Sequence, residues 1–159
     1  MASKKKYKVK RKVQHAWFDV PPPYSGTAHL RGDKRAGITF ETTVGKELLD
    51  RGFPIVSDTW IKYKIYSGVK LCSPDHILID VRKGIVTVIE CKLSHTATAW
   101  FQLNHVYMPV LKKLFPGFTV RGVEICKNFS NTTRYPKEVK LVHDLNGDWT
   151  GGDNVLIWT

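Results

Sequence analysis

Residues 71–93, LCSPDHILIDVRKGIVTVIECKL, hold the densest run of Ile, Val and Leu in the chain, divided by Lys83-Gly84. Two apolar arms rich in β-branched residues around a turn-forming pair predict a β-hairpin, Leu71–Val81 and Ile85–Leu93, buried on at least one face. With Lys83-Gly84 as the two turn residues, paired positions have numbers that sum to 167, so Asp75 faces Lys92 and Glu90 faces Ile77. Side chains alternate along a strand, and cross-strand partners share a face. Asp75, Glu90 and Lys92 therefore project from one face at one end of the hairpin, whereas Asp80 has the opposite parity and lies near the turn.

Ionised groups on an apolar strand are costly unless they are paired or bound to a cation. Two carboxylates converging beside a lysine make a hard-oxygen site suited to Mg²⁺ or Mn²⁺. The competing account is a structural ion pair of Lys92 with Asp75 or Glu90. The six histidines form no HxH or HExxH spacing, and the three cysteines (Cys72, Cys91, Cys126) form no CxxC. A zinc site and a disulfide framework are therefore not expected.

Outward from the hairpin, Phe40, Val44 and Leu48 recur at helical spacing, which predicts a helix over 38–51 ended by Gly52. Residues 54–66 alternate as a strand, and Ser67-Gly68 marks a turn. From Thr96 to Phe115 the helical period returns, with Trp100, Leu103, Tyr107, Val110, Leu111 and Leu114 on one stripe and Pro109 placed to kink it. Phe118–Cys126 reads as a strand, followed by weaker strands near 139–142 and 155–158. The order is α-β-β-β-α-β with C-terminal additions.

Pro74-Asp75 and Glu90-Cys91-Lys92, with fourteen residues between Asp75 and Glu90, resemble the signature of the PD-(D/E)xK nuclease superfamily. The resemblance covers residues 38–126. It implies an α/β, restriction-endonuclease-like αβββαβ core, a mixed central sheet flanked by helices. It also implies phosphodiester hydrolysis with one or two Mg²⁺ or Mn²⁺ ions. In that scheme Asp75 and Glu90 are metal ligands, Cys91 offers its backbone carbonyl and Lys92 is the catalytic lysine. The family commonly adds an acid from its first helix. The helical period does not choose between Glu41 and Glu47, but phage-type junction endonucleases place this glutamate about eleven residues before the helix-ending glycine, and Gly52 lies eleven after Glu41. Gln102-Leu103 with Tyr107 downstream is similar to the helix of RecB-type members, with the tyrosine one residue further on than theirs. Gln102 and His95 share the flank of the stripe and are candidates to touch a phosphate, although His95 reads more simply as a solvent-facing histidine. Tyr107 and Trp100, on the stripe, read as core.

The 25 Lys+Arg against 14 Asp+Glu give a net charge of +11 over 159 residues. Lys4, Lys5, Lys6, Lys8, Lys10, Arg11 and Lys12 supply +7 of it with no acid among them. Such a block stays extended and releases counterions when laid along phosphates. The expected organisation is a basic flexible arm (residues 1–20), a linker or loop (21–37) and a single nuclease domain (38–159). No run is long and apolar enough to span a membrane, and the basic opening leads into no apolar h-region, so a secretory signal is not expected. The expected setting is cytoplasmic, or host-cytoplasmic for a virus or mobile element. DNA is the expected partner. A core that uses almost the whole chain favours recognition of structure or ends, as in a Holliday-junction-resolvase-like or recombination and repair endonuclease. A site-specific restriction-type enzyme, an RNA-directed nuclease and a non-catalytic nucleic-acid-binding protein are the alternatives. Symmetrical cutting of two strands would require a homodimer. Deleting residues 1–12 is expected to weaken DNA binding and flatten its salt dependence without altering metal-dependent chemistry, as measured by titrations at several salt concentrations.

Overall fold

Threonines at 39, 42 and 43 and a glycine at 45 make a poor helix by propensity alone, yet the chain is helical from Asp33 to Asp50 (α1). In this computed structural model, which describes residues 12–20, 33–128, 140–143 and 154–158, the cause is tertiary. Phe40, Val44 and Leu48 are all buried, on the side that the period predicts. Thr39 and Thr43 turn their hydroxyls back onto the carbonyls of Arg35 and Thr39 (2.9 and 2.8 Å), which accommodates them in the helix. α1 begins five residues before the expected Ile38, within the stretch assigned to the linker; residues 21–32 of that linker lie outside the described residues. It stops where expected. Gly52 has φ 85°, and the Phe53 N–H returns to the Leu48 carbonyl at 3.0 Å, a left-handed cap that glycine takes without strain.

The single strand expected at 54–66 is two strands in different sheets, β2 (Ile55–Ser57) and β3 (Trp60–Ile65). Asp58, with φ 54°, turns the chain out of one ladder and into the other. The first hairpin arm divides in the same way. Leu71 and Cys72 finish β4 (Gly68–Cys72), which pairs with β3. After Ser73-Pro74, β5 (His76–Asp80) pairs with β6 (Ile85–Ser94). The register runs from His76↔Ile89 to Asp80↔Ile85, so paired numbers sum to 165 rather than 167. The cause is a four-residue turn, Val81–Gly84, closed by the Lys83 N–H on Asp80 Oδ1 at 3.1 Å. A shift of two residues changes partners but keeps every side chain on its face.

The stretch expected to be a flexible arm contains a further strand, β1 (His15–Asp19), antiparallel to β3. Val13 beside it is buried in the core. Its apolar pattern was hidden by the basic run that precedes it. The smaller sheet has the order β1-β3-β4. The larger is mixed, β2-β5-β6-β7-β9-β8, with β7 at Thr119–Asn128, β8 at Lys140–His143 and β9 at Asn154–Trp158. β2, β5 and β6 are antiparallel neighbours, while β6, β7, β9 and β8 run parallel. This is an α/β architecture in which the β3–β4 hairpin leaves the larger sheet between its first two strands.

The helical segment after β6 is capped by Thr96, whose Oγ1 accepts from the Ala99 N–H at 3.1 Å. It comprises α2 (Ala97–Gln102), a π turn (Leu103–Tyr107) and α3 (Met108–Leu114). Pro109 was expected to kink a continuous helix; instead a widened turn precedes it, and the Met108 N–H reaches back five residues to the Leu103 carbonyl. α1 covers one face of the larger sheet through Leu78, Ile89, Cys91, Val123 and Ile125. The other face, with Ile77, Val86, Val88 and Val120, packs on Leu103, Tyr107 and Leu111 and on the inner side of the smaller sheet. A Cβ at Gly122 would stand 2.9–3.0 Å from Met108 and Leu103, so glycine is what lets the π turn approach β7. Among the described residues no helix is long and apolar enough to cross a membrane.

The stripe on α1 makes a direct test. Leu48 is 0% exposed and its neighbour Leu49 57%. Leu48→Ala is expected to cost about 2–5 kcal/mol in urea denaturation, and Leu49→Ala less than about 0.5 kcal/mol.

Candidate functional site

Beyond His76 the β5–β6 ladder cannot continue. The next position in register opposite Cys91 is Pro74, which has no N–H to give to the Cys91 carbonyl. The Cys91 N–H, which would look for a main-chain acceptor there, donates to Asp75 Oδ2 at 2.8 Å. On a strand the N–H and C=O of one residue point to the same side. The Cys91 carbonyl is thus directed to the side where Asp75 sits, without a ladder partner from position 74. The Cys91 side chain has the opposite parity and packs in the core against α1.

Around this strand end the structure brings together Asp75, Glu90, Lys92 and Glu41. Glu90 is 4% exposed. Its Oε1 lies 3.3 Å from Lys92 Nζ, and its Oε2 is buried with no hydrogen-bond partner. Burial, with the Asp75 charge second, pushes the Glu90 carboxyl up to about 8. Glu41 reaches in from α1 and hydrogen-bonds the Asp75 carboxyl; burial and then the Asp75 charge raise it to about 7. Asp75 is also raised by burial, against the opposing effect of the Cys91 N–H. Each carboxylate of such a pair disfavours ionisation of the other. Lys92 keeps 37% of its side chain in solvent.

The position of Glu41 follows from how α1 sits on β5. The His76 ring is buried. Its Nε2 lies 2.9 Å from the Glu41 carbonyl oxygen and its Nδ1 2.6 Å from Ser57 Oγ. Since a carbonyl only accepts, Nε2 carries the proton and Nδ1 accepts from the serine hydroxyl. A Cβ on Gly45 would stand 2.6 Å from the ring, so the glycine in mid-helix is the gap that admits the histidine. A cleft of about 320 Å³ lies beside this bridge, lined by Glu41, Lys46, Ser57, Asp58 and His76 among others. Glu47, the other helix acid considered, pairs with Arg51 at 2.8 Å on the exposed side.

The remaining candidates are placed differently. Gln102 is half-buried at the end of α2 and makes no hydrogen bond to the carboxylates. Tyr107 is buried in the core as expected, but its phenol also feels the charges of Glu90 and Asp75, which with burial raise it well above its ordinary value. His95 is not solvent-facing: its Nδ1 lies 2.6 Å from Glu124 Oε2, with 5% of the His95 side chain exposed and none of the Glu124 side chain. Cys126 Sγ donates to the other Glu124 oxygen at 3.6 Å. Glu124 stands directly opposite Glu90 in the parallel β6–β7 register. The sequence carried its signal, an acid inside the apolar run of β7, by the same logic that singled out Glu90. Lys12 is exposed, while Lys4, Lys5, Lys6, Lys8, Lys10 and Arg11 lie outside the described residues.

The carboxylates are engaged in pairs, Glu41 with Asp75 and Glu90 with Lys92. Accordingly, among the described residues no group of three or more His, Cys, Asp or Glu is gathered closely enough to hold a metal ion as it stands. Comparison with protein-family models, with curated proteins and with solved structures found no match.

Without metal the site leaves a signature in stability. Glu41 and Glu90 have an ordinary value of 4.5 and hold their protons to about 7 and about 8 when folded. A raised carboxylate means that the folded state binds the extra proton. Its contribution is present below pH 4.5, declines as pH rises through the folded values, and is gone above 8. In EDTA, Glu90→Gln, which cannot ionise, should gain stability relative to the parent as pH rises from about 5 to about 8.5. Urea midpoints at the two pH values check this; a parent–variant difference that stays constant contradicts it.

Proposed function

We propose that the chain is a divalent-metal-dependent nuclease that hydrolyses phosphodiester bonds in DNA. The observation that carries the proposal is the buried, partnerless Glu90 Oε2 beside the Asp75–Glu41 acid pair. Three carboxyl groups, from α1, the β5 entrance and β6, act on one another where their charge is poorly solvated, and a hard cation drawing them together would relieve all three. The donor set fits Mg²⁺ or Mn²⁺: Asp75, Glu90 and the Cys91 carbonyl, with Glu41 as a further acid. With the β3–β4 hairpin set aside, α1, β2, β5, β6, α2/α3 and β7 follow in an αβββαβ order compatible with the PD-(D/E)xK resemblance, and this supports the same reading.

A divalent cation held there supplies Lewis acidity toward a phosphoryl oxygen and lowers the pKa of a bound water. Occupation would favour the ionised forms of Asp75, Glu90 and Glu41, which burial otherwise disfavours. Lys92, whose side chain is partly in solvent, would orient the attacking water and offset negative charge developing on the phosphate. Glu41, which lines the 320 Å³ cleft and bonds the Asp75 carboxyl, would be the group to accept a proton from that water. The Lys92–Glu90 contact at 3.3 Å also suits a second reading, a nucleic-acid-binding protein in which the pair is purely structural.

A panel of linear duplex, single-stranded, supercoiled and four-way-junction DNA with Mg²⁺ separates the two. Cleavage is expected, lost in EDTA and reduced by about 10²–10³ or more in Lys92→Ala and in Asp75→Ala. Thermal melting with added Mg²⁺ or Mn²⁺ should stabilise the parent and not Glu90→Ala. If neither metal changes melting and no substrate is cut, the purely structural pair is the correct account.

A further inference from the structure

The smaller sheet presents its inner side to the core, through Ile61 and Cys72, and leaves its outer side open. Cross-strand partners share a face, so the register fixes what that open side carries. His15, Lys64 and Val69 make one row, and Trp17, Lys62 and Leu71 the next. Trp17 is 40% exposed, with Val69 and Leu71 exposed in line with it. An indole thus lies directly across from Lys62 and diagonal to Lys64 on an open sheet. A surface built only to meet another apolar surface has no use for the lysines, and one built only for a duplex backbone has no use for the tryptophan.

Two further observations point the same way. The run that carries +7 ends at Lys12, three residues before β1, and β1 is an edge strand of this sheet. The excess positive charge of the chain is therefore attached at the border of the open face. The far end of the sheet, in turn, adjoins the carboxylates. β4 ends at Cys72, three residues before Asp75, and β3 starts at Trp60, just after Asp58, whose charge acts on Glu41. Asp19, opposite Trp60 at that end, holds the Lys62 ammonium at 2.9 Å, while Lys64 leaves the other end cationic.

We propose that the outer face of the β1-β3-β4 sheet binds an unpaired stretch of nucleic acid, a base stacking on Trp17 and the phosphates running past Lys62 and Lys64 towards the carboxylate site. Stacking on an exposed aromatic is tolerant of sequence because every base has a π-face, and it requires unpaired bases because a duplex keeps those faces inside. The direction of the strand rests on the nuclease reading; the binding face itself does not. The class of substrate it selects is DNA with single-stranded character, such as a frayed end, flap or branch.

The test measures binding in EDTA, where no cleavage occurs, so that the two readings fail separately. The full chain is titrated with a fluorescein-labelled oligothymidine of about 16 nucleotides and with a blunt duplex of the same length. Tighter binding of the single strand is expected, with quenching of tryptophan emission. Trp17→Ala should weaken it about tenfold, and Trp17→Phe should retain most of the affinity while losing much of the quench. Replacing Lys62 and Lys64 by Gln should lower the slope of log affinity against log salt by about 1.4, or about 0.7 for each phosphate contact. Far-UV circular dichroism checks that each variant is folded. Unchanged affinity in Trp17→Ala, or equal affinity for the duplex, overturns the proposal. So does a dimer in sedimentation that Trp17→Ala dissolves while oligothymidine affinity stays the same, since the occupant is then a second copy. Binding that depends on Trp17 in a protein that cuts nothing leaves this face standing and removes the nuclease reading.

Discussion

The hydrogen bond between the Cys91 N–H and the Asp75 carboxylate stands where an ordinary ladder bond would have to be, and the layout of the site depends on it. β6 is ten residues long and β5 only five, so the end of β6 extends past its antiparallel neighbour. A strand end with unpaired main-chain groups under a helix layer is costly unless something satisfies them. Pro74 prevents β5 from doing so, and Asp75 does it with a side chain. The chain arrives at that point from the smaller sheet, having left β4 at Cys72. One interaction therefore joins the two sheets, ends the hairpin ladder and holds an acid beside Glu90.

Holding it there creates an electrostatic problem, which the fold answers in two ways on one face. At the Asp75 end, burial and mutual repulsion disfavour ionisation of Glu41 and Asp75, and Glu90 leans on a single lysine and leaves one oxygen bare. One strand over, in register with Glu90, Glu124 is fully satisfied by His95, by Cys126 and by the Thr96 N–H at the start of α2. Burial is comparable in the two cases, so desolvation alone does not separate them. The difference is that Glu124 has its partners built in and Glu90 does not. A structural acid is expected to look like the first, and a ligand-binding acid like the second.

What the sequence disclosed follows from which signals are local. Side-chain parity is local: a two-residue error in register leaves Glu90 and Lys92 on one face although the turn is longer than Lys83-Gly84 suggested, while Asp75 stands just before β5 and meets β6 through its carboxylate on the Cys91 N–H. The helical stripe Phe40-Val44-Leu48 is local too, and it is buried as its period requires. Sheet membership is not local. Nothing in residues 54–66 or 71–81 says that each run is cut between two sheets, because the cut is made by Asp58 and by Ser73-Pro74 together with pairing to β1 and β6. β1 itself was obscured by the lysines before it. The choice of Glu41 over Glu47 needed a distance that helical geometry could not give, set here by His76 and Gly45 across 31 residues or more of chain.

The π turn gathers several of these threads. An α-helix running unbroken from Thr96 would carry Tyr107 away from the side occupied by Gln102, since five residues overshoot a turn by a wide angle. A π turn holds one more residue for each hydrogen-bonded closure, so residues five apart return to the same side. The π turn puts that extra residue between Gln102 and Tyr107. Its consequence is to bring the Tyr107 phenol under the carboxylates, where Glu90 and Asp75 act on it. The bulge is tolerated because Pro109 has no N–H to contribute to a regular ladder and because Gly122 leaves room on β7 for the wider backbone. The widened turn is thus accommodated locally, and Tyr107 stays buried where Glu90 and Asp75 act on it.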